Sequence, residues 1–139
     1  MIGTAASNPS GQNEYLLDIA PLLALLWERH EPHKRAMAWL ETASKITVCP
    51  LTELGFLRIS TQPAYGATFR EAKRLLHDWK EARKPGFIAC DLEALAMDSP
   101  PTGKQTTDFY LASLAAKHGM ELATLDEGID HKAAFVIPA

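Results

Sequence analysis

Four acidic residues occupy positions from which they could do chemistry together. Asp18 closes the apolar run Tyr15-Leu16-Leu17, and Asp126 follows Leu122-Ala123-Thr124-Leu125. Glu53 comes shortly after Pro50, and Asp108 follows Thr107. The first two fall at or just past the carboxyl end of a predicted strand, and the others in the first turn of a predicted helix. Glu53 and Asp108 would each suit a helix start on electrostatic grounds alone, facing the positive end of the helix dipole. Asp18 is different, because a charge set in an apolar run is costly unless it is paired. Carboxylates converging on one edge raise one another's pKa unless a cation sits among them. Neither Asp18 nor Asp126 has a nearby Lys or Arg in sequence, although the fold could bring one in. A divalent ion on oxygen ligands is the economical solution. An all-carboxylate set favours a hard cation, magnesium or manganese over zinc or copper. Such a site suits phosphoryl chemistry, in which the ion activates water and neutralises phosphate charge. One ion and two are equally compatible with these residues.

The elements that must carry these acids alternate between short apolar runs and amphipathic stretches, the pattern of a parallel sheet covered by helices. Tyr15–Ile19 reads as a first strand, with a helix from about Leu22 and a second restarted at Glu31-Pro32, with Ala36, Met37 and Leu40 on one face. Ile46–Cys49 is a β-branched strand stopped by Pro50, and Leu51–Ile59 a helix carrying Leu54, Phe56 and Leu57. The clearest helix is Thr68–Arg83: Phe69, Ala72, Leu75, Leu76, Trp79 and Ala82 share one side. Arg70, Lys73, Arg74, His77, Lys80 and Lys84 share the other. Phe87–Cys90 is a third strand, and Thr107 can cap a helix from Asp108 to His118 that Gly119 stops. Leu122–Leu125 and Phe135–Ile137 complete five strands. Parallel crossovers gather sites at the carboxyl ends of strands, where strand order reverses.

With 139 residues, 47% hydrophobic and 22% charged, the chain suits one domain with its own core. Residues 1–13 read as a flexible tail and 14–139 as the domain. A net charge of −3 gives no overall attraction to polyanions, so nucleic acid would need a local basic patch or bound metal. Cys49 and Cys90 are too few for a disulfide framework and read as reduced, mostly buried thiols of a cytoplasmic protein. The apolar stretch Leu16–Trp27 is broken by Asp18 and Pro21 and too short for a membrane span.

Four blocks, in order, resemble the acidic motifs of PIN domains. They are Leu16-Leu17-Asp18, Cys49–Arg58 with Thr52-Glu53-Leu54, Thr107–Ala112 with Asp108, and Leu122–Asp126. The tract His33–Leu40, with Ala36 and Trp39-Leu40, is similar to VapC-type toxins, and the likeness runs from about Tyr15 to Pro138. The resemblance implies an α/β PIN-like fold, a central parallel sheet of about five strands with helices on both faces. It implies a magnesium- or manganese-dependent endoribonuclease, the toxin of a type II toxin–antitoxin system. Asp18, Glu53, Asp108 and Asp126 would be its metal ligands and catalytic acids, and Thr124 would orient a ligand or water. Its partners would be an RNA substrate, a VapB-type antitoxin and a second copy of itself, the dimer using the helices from about Leu22 to Ala43 with Trp27 and Trp39. One departure stands out: the family often has Asp-x-Asn at the first motif, and here Ala20 cannot supply the amide hydrogen bonds. Ala20 keeps open a second reading, a noncatalytic PIN-like module that binds RNA or a protein.

Other conspicuous residues have plainer explanations. His30 and His33 flank Pro32 with no acid or Cys to complete a tetrahedral set, which argues against ligation, and His33, on a face with Met37 and Leu40, reads as a packed edge residue. His118 suits the last turn of its helix. The stripe Arg70–Lys84 reads as a solvated face or as a path for an RNA backbone.

Overall fold

The computed structural model describes residues 13–43 and 45–139. The tail expected over 1–13 therefore lies, apart from Asn13, outside the described residues. The strands are β1 (Glu14–Leu17), β2 (Lys45–Val48), β3 (Gly86–Phe87), β4 (Glu121–Thr124) and β5 (Ala134–Val136). They form one sheet in the order β3-β2-β1-β4-β5, with every pairing parallel. The helices are α1 (Ile19–Leu26), α2 (His33–Thr42), α3 (Pro50–Ser60), α4 (Phe69–Arg83) and α5 (Thr106–Lys117).

Alternation along β1 divides the core. Tyr15 and Leu17 join an apolar cluster with residues of α1, α2, α3 and α4, while Leu16 joins Leu111, Leu114 and Ala115 of α5 on the opposite face. Leu16 and Leu17 are both fully buried, which is why the central strand reads as continuously apolar. Each such leucine contributes about 1.5–3 kcal/mol of burial. From β1 the chain moves outward to β2 and β3, then crosses back to β4 and β5. The reversal leaves a crevice beyond the carboxyl ends of β1 and β4.

Several boundaries differ from the sequence expectation, each for a local reason. The first helix starts at Ile19, not near Leu22, because Asp18 is its N-cap and accepts from the Ile19 amide at 2.8 Å. Pro21 falls inside the first turn, where an amide donor is not needed. Helix α5 starts at Thr106 behind Gln105, and Thr107 makes no capping bond. Gly119 closes α5 in the left-handed region, at φ 71, as its position implied. Thr68 and Glu71 form a reciprocal capping box on α4. Met37, Leu54 and Phe69 were placed on apolar faces but are exposed.

The third strand is only Gly86–Phe87, followed by a long irregular segment from Ile88 to Gln105. That segment is tied across α5. Tyr110 donates to the Leu92 carbonyl at 2.7 Å, His118 meets Asp91 at 2.7 Å, and His131 meets Asp98 at 2.7 Å. Cys90 lies on this segment and is exposed, against the expectation of burial, while Cys49 is buried; both are free thiols. Among the described residues no helix is long and apolar enough to cross a membrane.

Helices α1 and α2 spend their apolar faces on the sheet. Leu22–Leu26 are buried, as are Ala36, Trp39 and Leu40. Trp39 packs edge-on against Tyr15, and Trp27 donates to the buried Ser60 at 2.9 Å. The pair expected to serve a dimer thus leaves little apolar surface free. His33 contacts the Ala24 carbonyl at 2.7 Å through Nδ1, and His30 pairs with Tyr65, so neither histidine is set up as a ligand.

Candidate active site

Asp18 stands at the crevice because β1 ends there and α1 begins there. Its amide donates to the Ala123 carbonyl of β4 at 3.0 Å, which locks the turn onto the neighbouring strand. One carboxylate oxygen accepts from the Ile19 amide, and the other accepts from the buried Thr124 hydroxyl at 2.8 Å. Burial still dominates. It pushes the Asp18 pKa from 3.8 up to about 6, with the two hydrogen bonds opposing and the charges of Asp108 and Asp126 adding to the rise.

Asp126 follows β4 in a short turn. Its amide donates to Thr124 Oγ1 at 3.1 Å, and its Oδ1 accepts from the Gly128 amide at 2.7 Å. This self-closing Asx turn is written into Asp126-Glu127-Gly128. Thr124 therefore joins two acids, donating to one and accepting from the backbone of the other. Asp108 lies in the first turn of α5 and is half-buried; burial and the charge of Asp126 raise its pKa. Asp18, Asp108 and Asp126 thus feel one another, and among the described residues none of them forms an ion pair.

Glu53 is the exception. It sits in the first turn of α3 as expected, but its Oε2 is 2.5 Å from the Lys80 ammonium of α4. The sheet edge therefore holds three interacting aspartates and one glutamate already paired with a cation.

Two residues that sequence reasoning passed over set this geometry. Thr52, fully buried, donates to the Leu17 carbonyl at 2.8 Å and pins the start of α3 to the end of β1. Gly55 lets α3 approach α1: a Cβ there would come within 2.3 Å of Ile19 Cδ1, the residue next to Asp18. Thr52 precedes Glu53 in the recognised motif, so a signal was available for it. Nothing in the sequence marks Lys80, 27 positions from Glu53, as that acid's partner.

The all-oxygen donor set and the uncompensated charge of a buried Asp18 fit a hard divalent ion. Among the described residues, however, no three His, Cys, Asp or Glu side chains are already arranged to hold a metal ion. Fit is therefore a matter of chemistry and proximity, with side-chain rotation needed to close the set. The half-buried Asp108 carboxylate makes no side-chain hydrogen bond or ion pair among the described residues, unlike those of Asp18 and Asp126, which accept from backbone amides.

Comparison with known proteins adds a separate line of support. Residues 15–134 match the PIN domain family. Ribonuclease VapC38 of Mycobacterium tuberculosis (strain ATCC 25618 / H37Rv) is 34% identical over 121 residues, covering 82% of this chain and 86% of the relative. Ribonuclease VapC44 of the same strain is 34% identical over 126 residues, covering 82% and 87%. Ribonuclease VapC39 is 30% identical over 132 residues, covering 86% and 93%.

Proposed function

The chain belongs to the PIN domain family, and from that premise we propose that it is a toxin endoribonuclease of a type II toxin–antitoxin system. The proposed reaction is hydrolysis of RNA phosphodiester bonds at a carboxylate site that takes magnesium or manganese. The observation that carries this reading is the meeting of Asp18, Asp108 and Asp126 at the strand-order reversal with no ion-paired cation among the described residues. The names of the relatives supply the substrate class.

A divalent ion bound there would lower the pKa of a water molecule and offset charge on the phosphate. The chain's own groups have distinct parts. Thr124 and the Ile19 amide hold the Asp18 carboxylate in one orientation. The Gly128 amide and the Thr124 hydroxyl hold the Asp126 turn. Asp108 would close the set by side-chain rotation from the first turn of α5, while Glu53, in the first turn of α3, is held by Lys80. The exposed cations of α4, with Arg70, Lys73 and Arg74, offer phosphates a sequence-independent approach.

The proposed partner is a VapB-type antitoxin, whose Arg would neutralise the aspartates that form no ion pair among the described residues. The protein would act in the cytoplasm and as a homodimer. The surface suited to the dimer is the exposed groove of Leu51, Leu54 and Phe69, since α1 and α2 are covered; light scattering tests it. Ala20 and the Lys80–Glu53 pair favour the second reading, a noncatalytic RNA- or protein-binding module.

Cleavage of single-stranded RNA by purified protein separates the two. Activity with magnesium or manganese, arrested by EDTA and lost in Asp18→Asn and Asp126→Asn, is the expected result. Cleavage that survives both substitutions would come from a contaminant and sink the assignment.

A further inference from the structure

Lys80 and Glu53 form an ion pair that the fold constructs from both sides. The ammonium lies 2.5 Å from Glu53 Oε2, with the two side chains 33% and 18% exposed, so the contact is mostly withdrawn from water. On the lysine side, α4 ends at Lys84 in the left-handed region, and the chain turns directly into β3. Phe87 of β3 pairs in register with Val48 at the end of β2, and its ring sits under the Lys80 ammonium, 4.8 Å from the centroid. On the glutamate side, Thr52 is anchored to the Leu17 carbonyl, and the Glu53 amide donates to Cys49 at 3.1 Å. A cation resting on an aromatic face therefore reaches a carboxylate whose backbone is fixed. Among the described residues, Asp18, Asp108 and Asp126 form no such pair.

We propose that Lys80 is a positioning residue that occupies Glu53 and so divides the acidic edge, leaving the first divalent ion to the three aspartates. Glu53 joins the ligand set only when Lys80 is displaced. The reason is competition: an ammonium and a dication want the same oxygens, and a dication at Glu53 would sit against a fixed positive charge. Lysine suits this part because its compact ammonium on a flexible stem can swing away from one acceptor to another.

The inference rests on the metal-site reading, and manganese titration followed by electron paramagnetic resonance and calorimetry tests the two separably. In the wild-type protein, Glu53→Gln should change manganese affinity less than about twofold, whereas Asp108→Asn should weaken it at least tenfold. Lys80→Met should tighten manganese about tenfold, equivalent to about 1.4 kcal/mol, or add a second site. That gain should vanish in Lys80→Met combined with Glu53→Gln, closing a double-mutant cycle. Lys80→Arg should behave as wild type, and Lys80→Gln, which keeps much of the stem over Phe87, serves as a second neutral variant if Lys80→Met loses helix by circular dichroism. Manganese binding unchanged in both neutral variants would overturn the proposal. So would a Glu53→Gln loss as large as that of Asp108→Asn, since Glu53 would then already be a ligand. No manganese binding by any variant, wild type included, would overturn the metal-site reading and this inference with it.

Discussion

Asp18 carries most of the electrostatic tension of the site. Its folded pKa of about 6 lies above the ordinary 3.8, so the folded protein holds the extra proton between those values. The associated stabilisation is fully present below about pH 4 and is lost as pH rises through about 6. For a group this buried the loss is of order 3 kcal/mol. Thermal melts in EDTA should therefore show the midpoint falling between pH 4 and pH 7. Asp108→Asn removes one repelling charge and should raise the EDTA midpoint at neutral pH. Manganese should reverse that ranking, because ligand at a hundredfold excess over its dissociation constant adds about 2.7 kcal/mol to the folded state. An Asn variant less stable than wild type in EDTA, and equally responsive to manganese, would remove Asp108 from the metal site. Thr124→Val tests the hydrogen bonds. It takes a donor from Asp18 and an acceptor from the Asp126 amide, and should cost about 1–3 kcal/mol at pH 7. The cost should shrink at pH 5, where Asp18 is largely protonated.

Among the elements, α3 is the one whose placement decides the site. It enters the crevice because Thr52 binds the end of β1, and it lies against α1 because Gly55 has no Cβ. Gly55→Ala brings a methyl carbon against Ile19 Cδ1 and Cγ1, not merely the flexible tip of a long side chain. Overpacking of this kind costs about 1–3 kcal/mol. The expected outcome is a chemically measured stability loss of that size together with weakened manganese binding. Partial restoration of both by Ile19→Ala would show that the steric contact is the cause. Helix α4 makes a different prediction. Lys80 is engaged with Glu53, whereas Arg70, Lys73 and Arg74 are exposed. Reversing the charge of those three should weaken RNA binding and flatten its salt dependence. Unchanged affinity and salt slope would leave them as solvated surface.

For the whole molecule, the sheet order predicts a gradient of local stability. Strands β1 and β4 are adjacent, central and packed by helices on both faces, while β3 and β5 are edges. Native-state hydrogen exchange should protect the amides of Leu16, Leu17 and Leu122 to near the global unfolding free energy. Amides of β3 should exchange much faster, since that strand has two residues and one neighbour. Asp18 and Asp126 consequently follow the two central strands, whereas Lys80, on α4, rests against Phe87 of the marginal β3. Slow exchange in β3 equal to that of β1 would contradict this division.

Some of this was determined by the sequence alone. Apolar runs of strand length, the 3.6-residue pattern of α4 and the stops at Pro50 and Gly119 reflect local steric and hydrogen-bonding preferences, which act within a few residues. The Asp126 turn is equally local, closing over two residues, although the sequence reading went no further than placing Asp126 past the end of a strand. Four acidic motifs in order sufficed to identify the family, and hence the edge on which the acids lie. What the tertiary structure decided involves partners distant in the chain. Pro21 reads as an interruption until Asp18 is seen to cap α1. Cys90 reads as buried until the long segment is seen to run across α5 with that thiol outward. The apolar faces of α1 and α2 read as available until the sheet covers them. Above all, four acids in sequence became three aspartates and one neutralised glutamate, because α4 turns into β3 and sets Lys80 beside Glu53. Such a pairing depends on how helices cross, and crossing is decided by side-chain packing across the whole core rather than by any run of residues.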